Sequence, residues 1–223
     1  MQRIDLTPAF VLHTRAFRNT SLIAELFSQT HGRIAAVARS ARGLTSRYRG
    51  QLQCFTPLLI AWSGDHELKT LGQIELNGMP IQLNHTALFC AFYLNELLMR
   101  VLQKEDPHPD VFFLYHDTLI ALQKNEQTER ILRLFEKRLL SALGYGLPLI
   151  NLDAASYYSF LPNQGFTLCE RTSSTSVFSG ADLLAFAQET LDTPHHLQSA
   201  KRLIRQAFQP LLGANPLKSR LLF

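Results

Sequence analysis

Residues 9–38, AFVLHTRAFRNTSLIAELFSQTHGRIAAVA, hold three short apolar runs separated by polar punctuation. Phe10 to Thr14, Leu22 to Phe27 and Ile34 to Ala38 alternate or run apolar at strand length, and Thr30-His31-Gly32-Arg33 reads as a hairpin turn. Two more strands follow, Phe55 to Trp62 and Leu68 to Ile74, joined by the turn Ser63-Gly64-Asp65. Between the third and fourth strands lies a longer Arg/Gly/Ser stretch, Ser40 to Gln51. Five strands too short for a sandwich must remove their edges, and a small closed barrel does so.

Beyond residue 80 the period changes. Ala91, Leu94, Leu98, Val101 and Leu102 recur at helical spacing, while Phe89, Phe92, Tyr93 and Met99 fill the other side, so this helix is expected to be buried all round. Further helices are expected from about Asp110 to Lys124 and from Gln127 to Leu143, the latter closed by Gly144 and Gly146. Residues 147–178 are irregular, with strand pieces near Tyr157-Tyr158 and Gly165 to Cys169. Ser179 with Asp182 forms a capping pair that opens a helix through Leu191, and Thr193-Pro194 opens another that Pro210 stops. The expected class is therefore α+β, with a five-stranded barrel over residues 1–80 and a mainly helical domain over 81–223 that carries an irregular insert at 147–178.

The composition fits a packed protein. Of 223 residues, 46% are hydrophobic and 18% charged, which excludes a disordered tail or a fibre. The most apolar stretch, Thr86 to Met99, is interrupted by Asn95 and Glu96 and is too short to span a bilayer. The first residues lack a signal-peptide layout, and Cys54, Cys90 and Cys169 show no disulfide rhythm, so a cytoplasmic location is expected.

Charge is distributed unevenly. Met1 to Gly50 contain eight arginines against Asp5 and Glu25, and the last 27 residues contain Lys201, Arg202, Arg205, Lys218 and Arg220 with no acid. Arg33, Arg39, Arg42, Arg47 and Arg49 follow one another with Tyr48 among them and no carboxylate between. One reading is a solvated basic loop. The other is a nucleic-acid surface, with arginine forks on phosphate oxygens and Tyr48 stacked on a base, since small five-stranded barrels bind single strands across a face and its loops. The bases near the C-terminus extend that surface if their helix returns towards the barrel, and otherwise form a solvated face.

Catalytic signatures are missing from the sequence. There is no phosphate-cradling G-x-x-x-x-G-K, no dinucleotide G-x-G-x-x-G and no G-x-S-x-G elbow. The cysteines lack zinc spacing, and the histidines do not repeat on one helix face. A nuclease would need clustered carboxylates for its metal, and the basic ends hold only Asp5 and Glu25.

Six blocks carry a resemblance. AFVLHTRAFRNTSLIAELFSQTHGRIAAVARSARG, LQCFTPLLI, ELKTLGQIE, FYLNELLMRVL, LRLFEKRLLSALGYG and AKRLIRQAFQPLLGANPLKSR occur in order from about Ala9 to the C-terminus. In this order they resemble the RecO family of bacterial recombination mediators. The resemblance implies an oligonucleotide-binding (OB) barrel followed by a helical domain, and a non-enzymatic role. That role is to bind single- and double-stranded DNA, anneal complementary strands and help RecA replace single-stranded DNA-binding protein on gaps, together with RecR, in DNA repair near the nucleoid. The four-cysteine zinc site of some members is not carried over, because only Cys169 lies in the matching region. Relatives dock the acidic, phenylalanine-ended tail of single-stranded DNA-binding protein, which needs an apolar pocket rimmed by bases. Arg130, Arg133 and Lys137, spaced as one helix stripe beside Leu134 and Phe135, are the expected tail site, unless Glu126 and Glu129 hold both arginines in surface ion pairs. An RNA-binding barrel protein without a recombination role is the alternative, because barrel and charge do not discriminate the sugar.

Overall fold

The computed structural model describes residues 3–124, 127–213, 215 and 217–219. Five strands, β1 (Arg3–Phe17), β2 (Ser21–Ser28), β3 (Gly32–Ala38), β4 (Leu58–Ser63) and β5 (Leu68–Leu76), close into a barrel of order β1-β2-β3-β5-β4. Every pairing is antiparallel except β3 with β5, which runs parallel from Ala35 opposite Leu68 to Val37 opposite Thr70. This is the topology of an oligonucleotide-binding barrel.

Alternation along each strand explains the closure. Ala9, Val11, Ala24, Leu26, Ile34, Ala36, Leu58, Ile60 and Trp62 are every second residue of their strands, and all turn inward. Alanines on β2 and β3 leave room for Trp62 and the branched residues opposite, so side chains fill a narrow barrel.

The opposite set of side chains meets helices. α1 (His85–Val101) and α2 (Pro109–Lys124) complete this part of the fold. Phe10 and Phe27 point out of the barrel, yet both are buried, with ring centroids 5.4 and 5.6 Å from Phe112 on α2. The segment after α1 runs over the start of β3, where the Glu105 amide donates to the Arg33 carbonyl at 2.9 Å. Gly32 is required there, because its φ is +64° and a Cβ would lie 2.0 Å from the Asp106 carbonyl oxygen. Much of the outer face of β1 to β3 is thus covered by the chain itself, which removes it as an open platform for a nucleic-acid strand.

The remaining elements are α3 (Thr128–Ala142), β6 (Tyr157–Leu161), β7 (Gly165–Cys169), β8 (Val177–Ser179), α4 (Gly180–Ala187), α5 (Pro194–Ala207) and α6 (Gln209–Leu212). The strands form a three-stranded antiparallel sheet of order β7-β6-β8. As expected, the Ser179 hydroxyl accepts from the Asp182 amide at 3.2 Å, and Thr193 caps α5 with Pro194 in its first turn. Three details differ from the sequence reading. β8 is only three residues long and has no periodicity to read. α4 stops at Ala187 rather than Leu191, because Glu189 turns left-handed at φ +61° and the Thr190 amide returns to the Ala185 carbonyl. Pro210 opens the short α6 instead of only ending α5.

Two compact units emerge, Met1–Lys124 with Lys218–Phe223, and Asn125–Leu217. Residue 80 marks the change from strands to helices, whereas compactness groups α1 and α2 with the barrel.

Candidate nucleic-acid interface

The basic connection between β3 and β4 is a string of tight turns rather than an open loop. Its amides return at short range, Gly43 to the Ser40 carbonyl at 3.0 Å, Ser46 to Gly43 at 3.2 Å, Arg49 to Ser46 at 3.2 Å and Gln51 to Tyr48 at 3.1 Å. Tyr48 anchors it. Its ring joins the barrel core at 4% exposure, and its hydroxyl lies 2.8 Å from the Leu71 carbonyl oxygen and 2.9 Å from that of Gly72, on β5. Tyr48 is therefore not a stacking platform for a base. A buried ring whose hydroxyl is held by two backbone carbonyls fixes the loop instead.

The arginines around this anchor face outward. Arg42 donates to the Arg18 carbonyl at 2.9 Å and also to that of Asn19, which ties the loop to the turn between β1 and β2. Arg47 lies 4.8 Å over the Tyr48 ring and donates to its hydroxyl at 2.6 Å, and Arg49 donates to the Leu44 carbonyl at 3.1 Å. Arg39 is exposed at the loop's start. Among the described residues, none of these four guanidinium groups is paired with a carboxylate. Carbonyl and ring contacts orient them without neutralising them, which leaves a preset field for an anion. Arg15 and Arg18 belong to the same end of the barrel, Arg18 lying 5.1 Å over Phe17. Neither stood among the expected site residues, because the fold, not chain spacing, brings their turn against Arg42.

Arg33 is a correction. Its guanidinium pairs with Glu25 at 3.1 Å and donates to the Leu102 carbonyl at 3.3 Å, under the segment that follows α1. It is spent inside the protein and does not face a phosphate.

The C-terminal bases fall in different settings. Lys201 pairs with Glu129 at 3.4 Å. Arg202 lies 4.5 Å over the Phe178 ring and donates to the Val177 carbonyl at 2.9 Å, while Arg205 is exposed. Lys218 belongs with the barrel's unit, its side chain exposed and its amide donating to Glu96 at 2.8 Å. Arg220 lies outside the described residues.

The stripe on α3 meets protein along its length. Arg133 is 4% exposed and faces Glu136, itself fully buried, with Nε to Oε2 at 2.6 Å and Nη2 to Oε1 at 2.8 Å. Phe135 is buried in the core and Leu134 half-buried. Lys137 donates to the Phe186 and Ala187 carbonyls at 3.0 and 2.8 Å, the negative end of α4, and Arg130 donates to the Glu189 carbonyl at 2.8 Å. Arg133 and Phe135 thus do not rim an open tail pocket, since desolvating an arginine requires an inward carboxylate and Glu136 supplies it. The alternative pairing of Arg133 with Glu129 does not form either, because Glu129 turns to Lys201, and Glu126 lies outside the described residues.

Two polar residues of α1 explain its interruption. Leu12 stands where the register of β1 shifts between Val11 and His13, and its carbonyl accepts from the Asn95 amide at 2.8 Å. Tyr115 on α2 donates to the Asn95 side-chain oxygen at 2.5 Å, and burial pushes its hydroxyl pKa well up. Cys54 also meets the Leu12 carbonyl, and burial raises its thiol to about 11, which suits an inert packing residue. Glu96, one residue on, accepts from the Lys218 amide and from the Ser219 amide and hydroxyl, at 2.8, 2.7 and 2.5 Å. Among the described residues no three His, Cys, Asp or Glu side chains gather as a metal-binding group, and no helix is long and apolar enough to cross a membrane.

Comparison with known proteins covers nearly the whole chain. The family model described as Recombination protein O N terminal matches residues 1–79, and that described as Recombination protein O C terminal matches residues 82–221. The chain is 50% identical over 226 residues to the DNA repair protein RecO of Coxiella burnetii strain CbuG_Q212, covering 98% of this chain and 97% of that one. It is 39% identical over 225 residues to the DNA repair protein RecO of Aliivibrio fischeri strain MJ11, covering 98% and 94%. It is 41% identical over 221 residues to that of Actinobacillus succinogenes, covering 96% and 93%. With an oligonucleotide-binding barrel at its head, a helical region behind it and these matches along nearly its full length, the chain belongs to the RecO family of DNA repair proteins.

Proposed function

We propose that this protein is a non-enzymatic, DNA-binding recombination mediator. It anneals complementary single strands and helps RecA onto gaps coated by single-stranded DNA-binding protein, with RecR and the tail of that coating protein as partners, in the cytoplasm at the nucleoid. The observation that carries the reading is the braced end of the barrel, where Arg39, Arg42, Arg47 and Arg49 present uncompensated charge beside Arg18. Two strands of DNA repel each other through their phosphates, and a preset cationic surface lowers that repulsion so that complementary bases meet. The mechanism is electrostatic: no bond is made or broken, and the arginines contribute charge and position.

Annealing of complementary oligonucleotides coated with single-stranded DNA-binding protein is the test. The protein is expected to accelerate annealing by at least about ten-fold, the effect of roughly 1.4 kcal/mol on a barrier. A folded sample that leaves the coated strands unpaired at the uncatalysed rate contradicts the mediator role.

A further inference from the structure

We infer that the barrel grips DNA by its sugar-phosphate backbone alone and leaves the bases free to pair. This deepens the proposed DNA-binding role and rests on it. Barrels that hold single strands ordinarily add aromatic platforms on which bases stack. Between Arg3 and Leu76 this chain has six such rings, and each is engaged elsewhere. Phe10 and Phe27 lie under α2, and Phe55 packs 5.1 Å from Phe92 on α1. Trp62 is buried against His31 at 5.0 Å, Tyr48 is the loop's internal anchor, and Phe17 carries Arg18 over its face. None of the six is fully exposed, Phe17 being half-buried, and much of the outer face of β1 to β3 is covered by the chain's own segments.

What remains outward at this end is the aliphatic Leu44, which offers no ring for a base, and guanidinium, held on main-chain carbonyls by Arg42 and Arg49 and on the Tyr48 ring by Arg47. Guanidinium forks match phosphate oxygens two at a time and carry no sequence information there. A strand held this way keeps its Watson–Crick edges in solvent. That arrangement suits annealing, because a base stacked on protein must be peeled off before it can pair, whereas a base that was never bound need not be.

The test compares full-length protein binding to a single-stranded oligonucleotide and to its abasic counterpart of equal length, in which every base is replaced by hydrogen. Backbone reading is expected to keep the two affinities within about three-fold and to give both the same salt slope. Stacking costs on the order of five-fold or more per lost base, so a weaker abasic complex beyond about three-fold, or a shallower slope, overturns the inference. Binding of neither strand is a different result: it removes the DNA-binding reading itself. Loss of both interactions in a folded Arg39→Ala/Arg47→Ala/Arg49→Ala variant places the backbone contact on the loop, and retention of both overturns that placement.

Discussion

Arg133 and Glu136 stand three residues apart on α3 with both side chains out of water. Arginine spacing on a helix suggests a surface stripe, and at this position the environment reverses the inference. An ion pair removed from solvent contributes little net stability, because the attraction is offset by the loss of hydration, yet removing one partner leaves the other charge buried with less compensation. Arg133→Met is accordingly expected to destabilise the protein by about 3–5 kcal/mol, while Arg133→Met with Glu136→Leu is expected to be near neutral. Urea unfolding measures both. A single variant with an unchanged midpoint would mean that Glu136 is compensated without Arg133. Tyr48 teaches the same lesson with opposite polarity, since an aromatic between two arginines invites a stacking role, but its ring fills the barrel and its hydroxyl is held by β5.

At the scale of elements, α1 is an apolar helix interrupted by two polar residues, each with a structural task. Asn95 meets the carbonyl that the irregularity in β1 leaves free, and Glu96 holds the Lys218 and Ser219 amides. Burial alone would push the Glu96 carboxyl up, but the Ser219 hydroxyl, the two amides and the Arg100 charge outweigh it and hold the carboxyl below its usual range. A carboxylate with a depressed folded pKa stabilises the fold above its unfolded value of about 4.3, and that contribution is lost as pH falls through the folded value. The docking of Lys218 and Ser219 on α1 is therefore expected to be full at neutral pH and to weaken in acid below the ordinary carboxylate range. Hydrogen-exchange protection of those two amides is the measurement, and Glu96→Gln should abolish its acid dependence. Protection that is identical in the variant, at every pH, would contradict the role of Glu96 in holding the two amides.

For the whole molecule, the sequence made the barrel legible because period-two strands and turn residues are local signals. The helices of the second half were legible because capping pairs such as Ser179 with Asp182 are also local. What stayed hidden depends on contacts distant in the chain. The cover over β1 to β3 comes from residues some 70 positions beyond Arg33, as its bond to the Leu102 carbonyl shows, and no periodicity announces it. Arg18 joined the candidate interface only through the Arg42 brace. The basic loop was visible as a run of arginines, but its chain of hydrogen-bonded turns and the inward turn of Tyr48 were not.

The central claim is that the outward arginines of the barrel loop meet DNA phosphates, and the salt dependence of binding tests it most directly. Log affinity for single-stranded DNA should fall linearly with log salt, by about 0.7 for each phosphate contacted. In a folded Arg39→Ala/Arg47→Ala/Arg49→Ala variant the slope is expected to flatten by about two. A folded triple variant with the parent slope would contradict the account and place the DNA elsewhere on the protein.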